Sequence, residues 1–189
     1  MSAQDSKLFV ISGPSGAGKG TLVTRVRERR SNLGLTVSAT TRAPRKGEVD
    51  GVNYFFLTRE EFDRRVANGE FVEWAEVHGN CYGTLVSEVQ SKLASGSSLI
   101  LEIDVQGALQ VKERFPEAVL IFIKPPSLEV LRERLVGRGT ETPETIELRM
   151  ANAAHELALA DRYDAVVVND DLDRATDELV RVLDMHERI

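Results

Sequence analysis

Sulfur and imidazole are scarce in this chain. One cysteine, Cys81, stands among 189 residues, so no internal disulfide can form. A single thiol suits a reducing compartment, and with no basic motif beside it Cys81 reads as a small core residue rather than a nucleophile. The three histidines, His78, His155 and His186, are too scattered to read as a metal-ligand set, which needs several donors close together. No apolar stretch approaches the ~20 residues that span a bilayer. The opening segment, Met1 to Lys7, is short and polar and lacks an apolar signal core. A cytoplasmic protein without a membrane partner is expected. Excess positive charge is missing too. Against 24 Lys and Arg stand 30 Asp and Glu, a net charge of −6, which disfavours nucleic acid as a main partner while leaving room for local basic clusters. There is no internal repeat and no low-complexity tract.

What is present is ordinary for a globular protein: 42% hydrophobic and 29% charged residues, in a length that accommodates one sizeable core with small insertions. Apolar runs without clean alternation occur at Leu8–Ile11, Leu33–Val37, Leu99–Ile103, Val119–Ile123 and Ala165–Val168, the pattern of strands covered on both faces. Helical spacing lies between most of them, at Thr21–Arg30, Val105–Phe115, Leu128–Val136 and Leu172–His186. The alternation predicts an α/β fold, a parallel sheet with helices on both faces. Two segments interrupt it. From Ser38 to about Val89, short strand-like pieces (Val52–Leu57, Phe71–Val77, Asn80–Gly83) surround a helix opened by the capping box Thr58-Arg59-Glu60-Glu61 and ending near Gly69. Trp74 is expected to pack the inner face of this insertion. From about Pro125 to Asp164, Ser127 caps one helix, Gly137-Arg138-Gly139 breaks it, and Thr142-Pro143 starts another, which suits a lid. The expected organisation is a core of residues 1–37, 90–125 and 165–189, a small mixed α/β insertion at 38–89, and a helical lid at 126–164.

The most informative run is Gly13-Pro14-Ser15-Gly16-Ala17-Gly18-Lys19-Gly20-Thr21. It joins an apolar strand to an amphipathic helix and fits the phosphate-loop pattern G-x-x-x-x-G-K. Glycines let successive N–H groups face one anion, the helix adds its positive end, and Lys19 supplies a mobile cation for the β- and γ-phosphates. The hydroxyl that usually follows the lysine and reaches Mg²⁺ is replaced by Gly20, with Thr21 one place late. Magnesium is therefore expected to be held by water, ligand oxygens and an acid elsewhere. Glu102 and Asp104, at the end of an apolar strand, are candidates for magnesium or a sugar hydroxyl, and Asp104 is also placed to cap the next helix. Arg42 and Arg45 in the first insertion, with Arg134, Arg138 and Arg149 in the lid, suit phosphate oxygens, whereas Arg132 reads as solvated surface. A guanine edge offers two donors to one carboxylate and an acceptor to hydroxyls. Glu73 with Ser38 and Thr84 matches that edge, and Tyr54 and Tyr82 lie in the same insertion.

With these residues in view, the chain resembles the guanylate kinases over nearly its whole length, through ISGPSGAGKGT, TVSATTRAPRKGEVDGVNYFF, GEFVEWAEVHGNCYGT, LEIDVQG, KPPSLEVLRERLVGRGTE and VVVNDDL, in that order. The resemblance implies transfer of the γ-phosphoryl group of ATP to GMP or dGMP, with Mg²⁺, in purine nucleotide metabolism. It implies that Ser38 and Glu73 hold the guanine, that Thr84 lies near the base, and that Arg42 and Arg45, helped by Tyr54 and Tyr82, clamp the GMP phosphate. By the same resemblance Gly13 to Thr21 bind ATP, Glu102 and Asp104 lie near ribose and metal, and Lys19, Arg134, Arg138 and Arg149 are the transition-state cations. Two other readings stand beside it. Guanylate-kinase-like scaffold domains bind peptides on this fold but have degraded phosphate loops, while this chain keeps Lys19 and the lid arginines. A kinase for another monophosphate such as AMP is the nearer rival, opposed by Glu73 with Ser38. Monomer and homo-oligomer are both compatible with the sequence.

Overall fold

Alternating side chains account for the first apolar run. In β1 (Leu8–Ser12), Leu8 and Val10 enter one core layer and Phe9 and Ile11 the other, so the whole strand is buried. The computed structural model describes residues 6–77, 79–137 and 142–187. With strands numbered along the chain, β1 lies at the centre of five parallel strands in the order β2 (Gly34–Leu35), β7 (Leu99–Glu102), β1, β8 (Val119–Lys124), β9 (Ala165–Val168). One face is covered by α1 (Lys19–Arg29) and α7 (Leu172–Glu187), through Leu22, Val26, Ala175, Leu179 and Leu183. The exposed pairs Arg25–Asp173 and Arg29–Asp177 join the two helices, and Arg30, capping the end of α1, pairs with Asp184 of α7. The other face is covered by α3 (Val86–Ala94) and α4 (Val105–Arg114), through Val89, Val105, Ala108 and Val111.

The expected strand at Leu33–Val37 shortens to the two residues of β2. It is an edge strand: Leu33 is buried beside it, but Leu35 is 38% exposed. The first helix begins two residues earlier than the periodicity predicts, because Gly18 turns left-handed and starts it at Lys19. Helix α3 carries a single fully buried residue, Val89, so its apolar pattern is too sparse to announce a helix.

A second sheet orders β4 (Phe55–Phe56), β3 (Ser38–Thr40), β6 (Asn80–Leu85) and β5 (Phe71–Val77), with α2 (Arg59–Ala67) packed on it. Thr58 caps α2 by accepting the Glu61 N–H at 3.1 Å. Ala39, Phe62, Phe71, Cys81 and Leu85 form its core, in which the Phe62 and Phe71 rings stack at 4.3 Å. Trp74 does not pack inside. It is 46% exposed and pairs across the sheet with Gly83, which has no side chain to cover it. Helices α5 (Leu128–Gly137) and α6 (Pro143–Leu157), capped by Ser127 and Thr142, pack through Leu131, Leu135 and Ala153 and are tied by an Arg132–Glu147 pair. No helix among the described residues is long and apolar enough to cross a membrane.

One close approach fixes the mouth of the main sheet. Gly13, just past β1, has φ +139°, and a Cβ there would lie 2.2 Å from the Ile123 carbonyl oxygen of β8. Gly13→Ala is expected to destabilise the fold by about 3 kcal/mol, because backbone rather than a flexible side chain must yield. Thermal melts of the two proteins check this, and an unchanged midpoint would show that the strands spread at no cost.

Candidate functional site

Strand order places the glycine loop where a ligand can reach it. The chain leaves β1 toward β2 on one side, returns at β7, and crosses to β8 on the other. The loop after β1 therefore opens at the point where the connections diverge. Gly18, with φ +91°, ends the loop without a side-chain cap, so the first N–H groups of α1 stay directed into the cleft. The Lys19 ammonium folds over the loop and donates to the Gly13 carbonyl at 2.5 Å and the Pro14 carbonyl at 3.1 Å. Ser15, Gly16, Gly18 to Thr21 and Glu102 line a cleft of about 330 Å³. Beside it, Gly16, Gly18, Thr21, Arg134, Asn169, Asp170 and Leu172 line one of about 490 Å³.

The lid helices reach this loop. Leu131 and Leu135 of α5 pack on Gly16. The Arg149 guanidinium donates to the Ser15 hydroxyl at 2.5 Å, and that of Arg134 donates to the Asn169 carbonyl at 2.8 Å. Arg138 and His78 lie outside the described residues. Asn169 received no role from the sequence, although it stands in the VVVNDDL stretch. It is buried, and its amide donates to the Ala17 carbonyl at 2.7 Å, so it props the loop from β9 while its own carbonyl holds Arg134. A lone asparagine directly after an apolar strand was the available signal.

Glu102 closes β7 on the other side of Lys19. Its carboxylate oxygens are 3.6 and 3.7 Å from where a Cβ on residue 20 would sit. The carboxylate thus stands close to the place that a hydroxyl-bearing side chain at position 20 would occupy. Burial of the carboxyl end pushes its pKa up, and Lys19 pulls it back. Asp104 takes the capping role open to it, accepting the Gly107 N–H at 2.7 Å at the start of α4. Among the described residues no group of three His, Cys, Asp or Glu side chains forms a ready-made metal cage.

The small sheet assembles the base-edge candidates by register. Ser38 pairs with Thr84 across β3 and β6, and Thr84 with Glu73 across β6 and β5, so the three are neighbours in space though up to 46 positions apart in sequence. The Thr84 hydroxyl donates to the Glu73 carboxylate at 2.9 Å. Burial raises the Glu73 pKa above the usual carboxylate range; the Thr84 hydroxyl opposes this and the charge of Asp104 adds to it. Tyr54 and Tyr82 meet edge to face at 6.2 Å, and the Arg42 guanidinium lies 5.4 Å over the Tyr54 ring. Arg42 is also paired through one nitrogen with both oxygens of Glu48, at 2.8 and 3.0 Å, and Glu48 accepts the Arg45 N–H at 2.6 Å. The Arg45 side chain is exposed. Sequence reasoning missed Glu48; its signal was an acid in the same short polar loop as two arginines expected to take one anion.

Helix α4 links the two halves. Glu102 faces the glycine loop, and two residues on, within ~7 Å of chain, Asp104 is close enough to perturb Glu73.

The sequence matches the family model described as Guanylate kinase over residues 5–186. It is 52% identical over 183 residues to the guanylate kinase of Halalkalibacterium halodurans, covering 97% of this chain and 90% of that protein. It is 57% identical over 178 residues to the guanylate kinase of Gloeobacter violaceus, covering 94% and 87%. Among solved structures, the crystal structure of guanylate kinase from Anaplasma phagocytophilum is similar with a TM-score of 0.71 at 37% identity, covering 96% of this chain and 86% of that one.

Proposed function

The chain belongs to the guanylate kinase family and is a nucleoside-monophosphate kinase; from that premise we propose how its residues divide the transfer of the ATP γ-phosphoryl group to GMP or dGMP. Residues 38–89 act as the GMP-binding unit, residues 126–164 as the lid, and the remainder as the phosphate-loop core. The observation that carries the assignment is the Glu73–Thr84 pair, a half-buried carboxylate already oriented by one hydroxyl. One carboxylate oxygen accepts the guanine N1–H and the other the exocyclic amine, while Ser38 and Thr84 serve the remaining edge. Adenine has no N1–H and leaves the carboxylate unpaired. Arg42 and Arg45, with Tyr54 and Tyr82, take the GMP phosphate. Glu48 holds Arg42 extended until that dianion competes for the guanidinium.

No side-chain nucleophile is needed, since an oxygen of the GMP phosphate attacks in line. The residues position the two phosphates and absorb charge. Gly13 to Thr21 cradle ATP through backbone N–H groups. Lys19 moves from the loop carbonyls to the β- and γ-oxygens, and Arg134, Arg138 and Arg149 close over them. Closure excludes water and so prevents wasteful hydrolysis. A magnesium ion bound with ATP would supply neutralisation of phosphate charge. Glu102 is the carboxylate of the glycine-loop cleft and fits that ion alongside phosphate oxygens and water, with Asp104 toward the ribose. The cytoplasm is the compartment proposed for this work.

A coupled assay with ATP and each of GMP, dGMP, AMP, CMP and UMP tests the reading. GMP and dGMP are expected to turn over, with kcat/KM for AMP lower by ~10² or more. Equal rates for AMP would overturn the base-reading assignment.

A further inference from the structure

Strand β5 changes allegiance within three residues. Phe71 belongs to the core of the small sheet, with Phe62 and Leu85. Val72 belongs to the core of the main sheet, with Val105, Ala108 and Val111 of α4. Glu73 then leaves toward Thr84. The register records the change: Phe71 faces Leu85, but Glu73 faces Thr84, so Val72 is an extra residue with no partner on β6. Such a bulge re-aims the side chain that follows it and leaves nearby carbonyls without ladder partners.

Those carbonyls are taken up. The Glu70 carbonyl accepts the Val86 N–H at 2.9 Å. The Phe71 carbonyl accepts from Nη1 of Arg114 at 2.7 Å, and the Gly69 carbonyl accepts from Nη2 of the same guanidinium. Arg114 is the last residue of α4, the helix whose first turn lies under Glu73: a Cβ on Gly107 would be 3.8 Å from the Glu73 Cβ. The helix therefore grips the bulge at both ends, and its buried face is fixed to the main sheet.

We propose that Arg114 is a positioning residue that aims Glu73 at the base of the acceptor nucleotide by clamping the β5 bulge to the catalytic core. The proposal rests on the reading of Glu73 as the base-reading carboxylate. A planar guanidinium reaches two carbonyls at once in a fixed geometry; an ammonium reaches them without fixing the angle between them. Arg114 is itself exposed, so its removal opens no core void.

The test compares Arg114→Ala, Arg114→Lys and Glu73→Gln in the full chain. Each is assayed with GMP and with the GMP analogue that lacks the exocyclic amine. For Arg114→Ala the KM for GMP is expected to rise ~10-fold and discrimination between the two acceptors to shrink several-fold, because a misplacement below 1 Å weakens both bonds. The KM for ATP and kcat at saturating GMP should stay within about twofold. Arg114→Lys should recover part of the loss. Unchanged GMP KM and discrimination in Arg114→Ala, beside a clear loss in Glu73→Gln, would overturn the positioning role alone. A parallel decline of kcat, both KM values and the melting midpoint would mark Arg114 as merely structural and also overturn it. Intact discrimination in Glu73→Gln would remove the base-reading assignment, and this proposal with it.

Discussion

Lys19→Ala is expected to lower kcat by about 10³-fold while leaving GMP affinity within twofold. The ammonium of Lys19 donates to the loop carbonyls of Gly13 and Pro14, and it lies in the glycine-loop cleft rather than among the residues proposed to read the acceptor. Exchange of the cation from neutral loop carbonyls to phosphate oxygens strengthens its interaction as charge develops in transfer. Removing it therefore withdraws stabilisation made chiefly in the transition state, which appears in kcat. Single-turnover rates and GMP binding by calorimetry separate the two quantities. A variant turning over within tenfold of the parent would deny Lys19 its assigned role.

Glu73→Gln is expected to cut kcat/KM for GMP by about 10²-fold and to collapse the preference for GMP over AMP, because an amide offers one acceptor and turns a donor toward a donor. The same change should raise the melting temperature of the ligand-free protein at neutral pH. The sign follows from burial. The pKa of Glu73 in the fold lies above that of an unfolded glutamate, ~4.3, so the stability it contributes is complete below that value. It is lost as pH rises through the raised pKa, and at neutral pH the ionised side chain is a burden that glutamine removes. The gain in midpoint should vanish in acid, where Glu73 is protonated in both states. In the parent protein, GMP affinity should weaken as pH falls through the raised pKa, since a protonated carboxyl accepts fewer bonds. Melts of both proteins between pH 4 and 8, with the GMP KM of the parent over the upper part of that range, provide the check. A lower midpoint for Glu73→Gln at neutral pH would mean that the carboxylate is stabilised by contacts that outweigh its desolvation. Function here takes a site that the fold alone would not choose.

Local chemistry was legible wherever a few adjacent residues decide it. The glycine loop, the caps at Thr58, Asp104, Ser127 and Thr142, and the buried strands at Leu8, Leu99 and Val119 all follow from runs of fewer than ten residues. So does the parallel sheet they imply. The strand at Ala165, expected to be covered on both faces, is instead an edge strand with Val166 and Val168 exposed. Less was legible where a residue's neighbour lies far along the chain. Nothing near Arg114 points to Gly69 and Phe71, more than forty positions earlier. The outward turn of Trp74 depends on a bulge two residues before it and on a glycine in another strand. The prop from Asn169 to Ala17 spans 152 positions.

The order of residues alone determined the glycine loop between strand and helix and the alternation that builds the sheet, because backbone conformation and hydrophobic periodicity are short-range. Only the folded chain decided that Glu73 stands beside Thr84 with a raised pKa, that Glu48 holds Arg42, and that α4 packs beneath Glu73 between the small sheet and the main sheet. These are consequences of strand register and of burial, and both arise only when distant segments exclude water from one another.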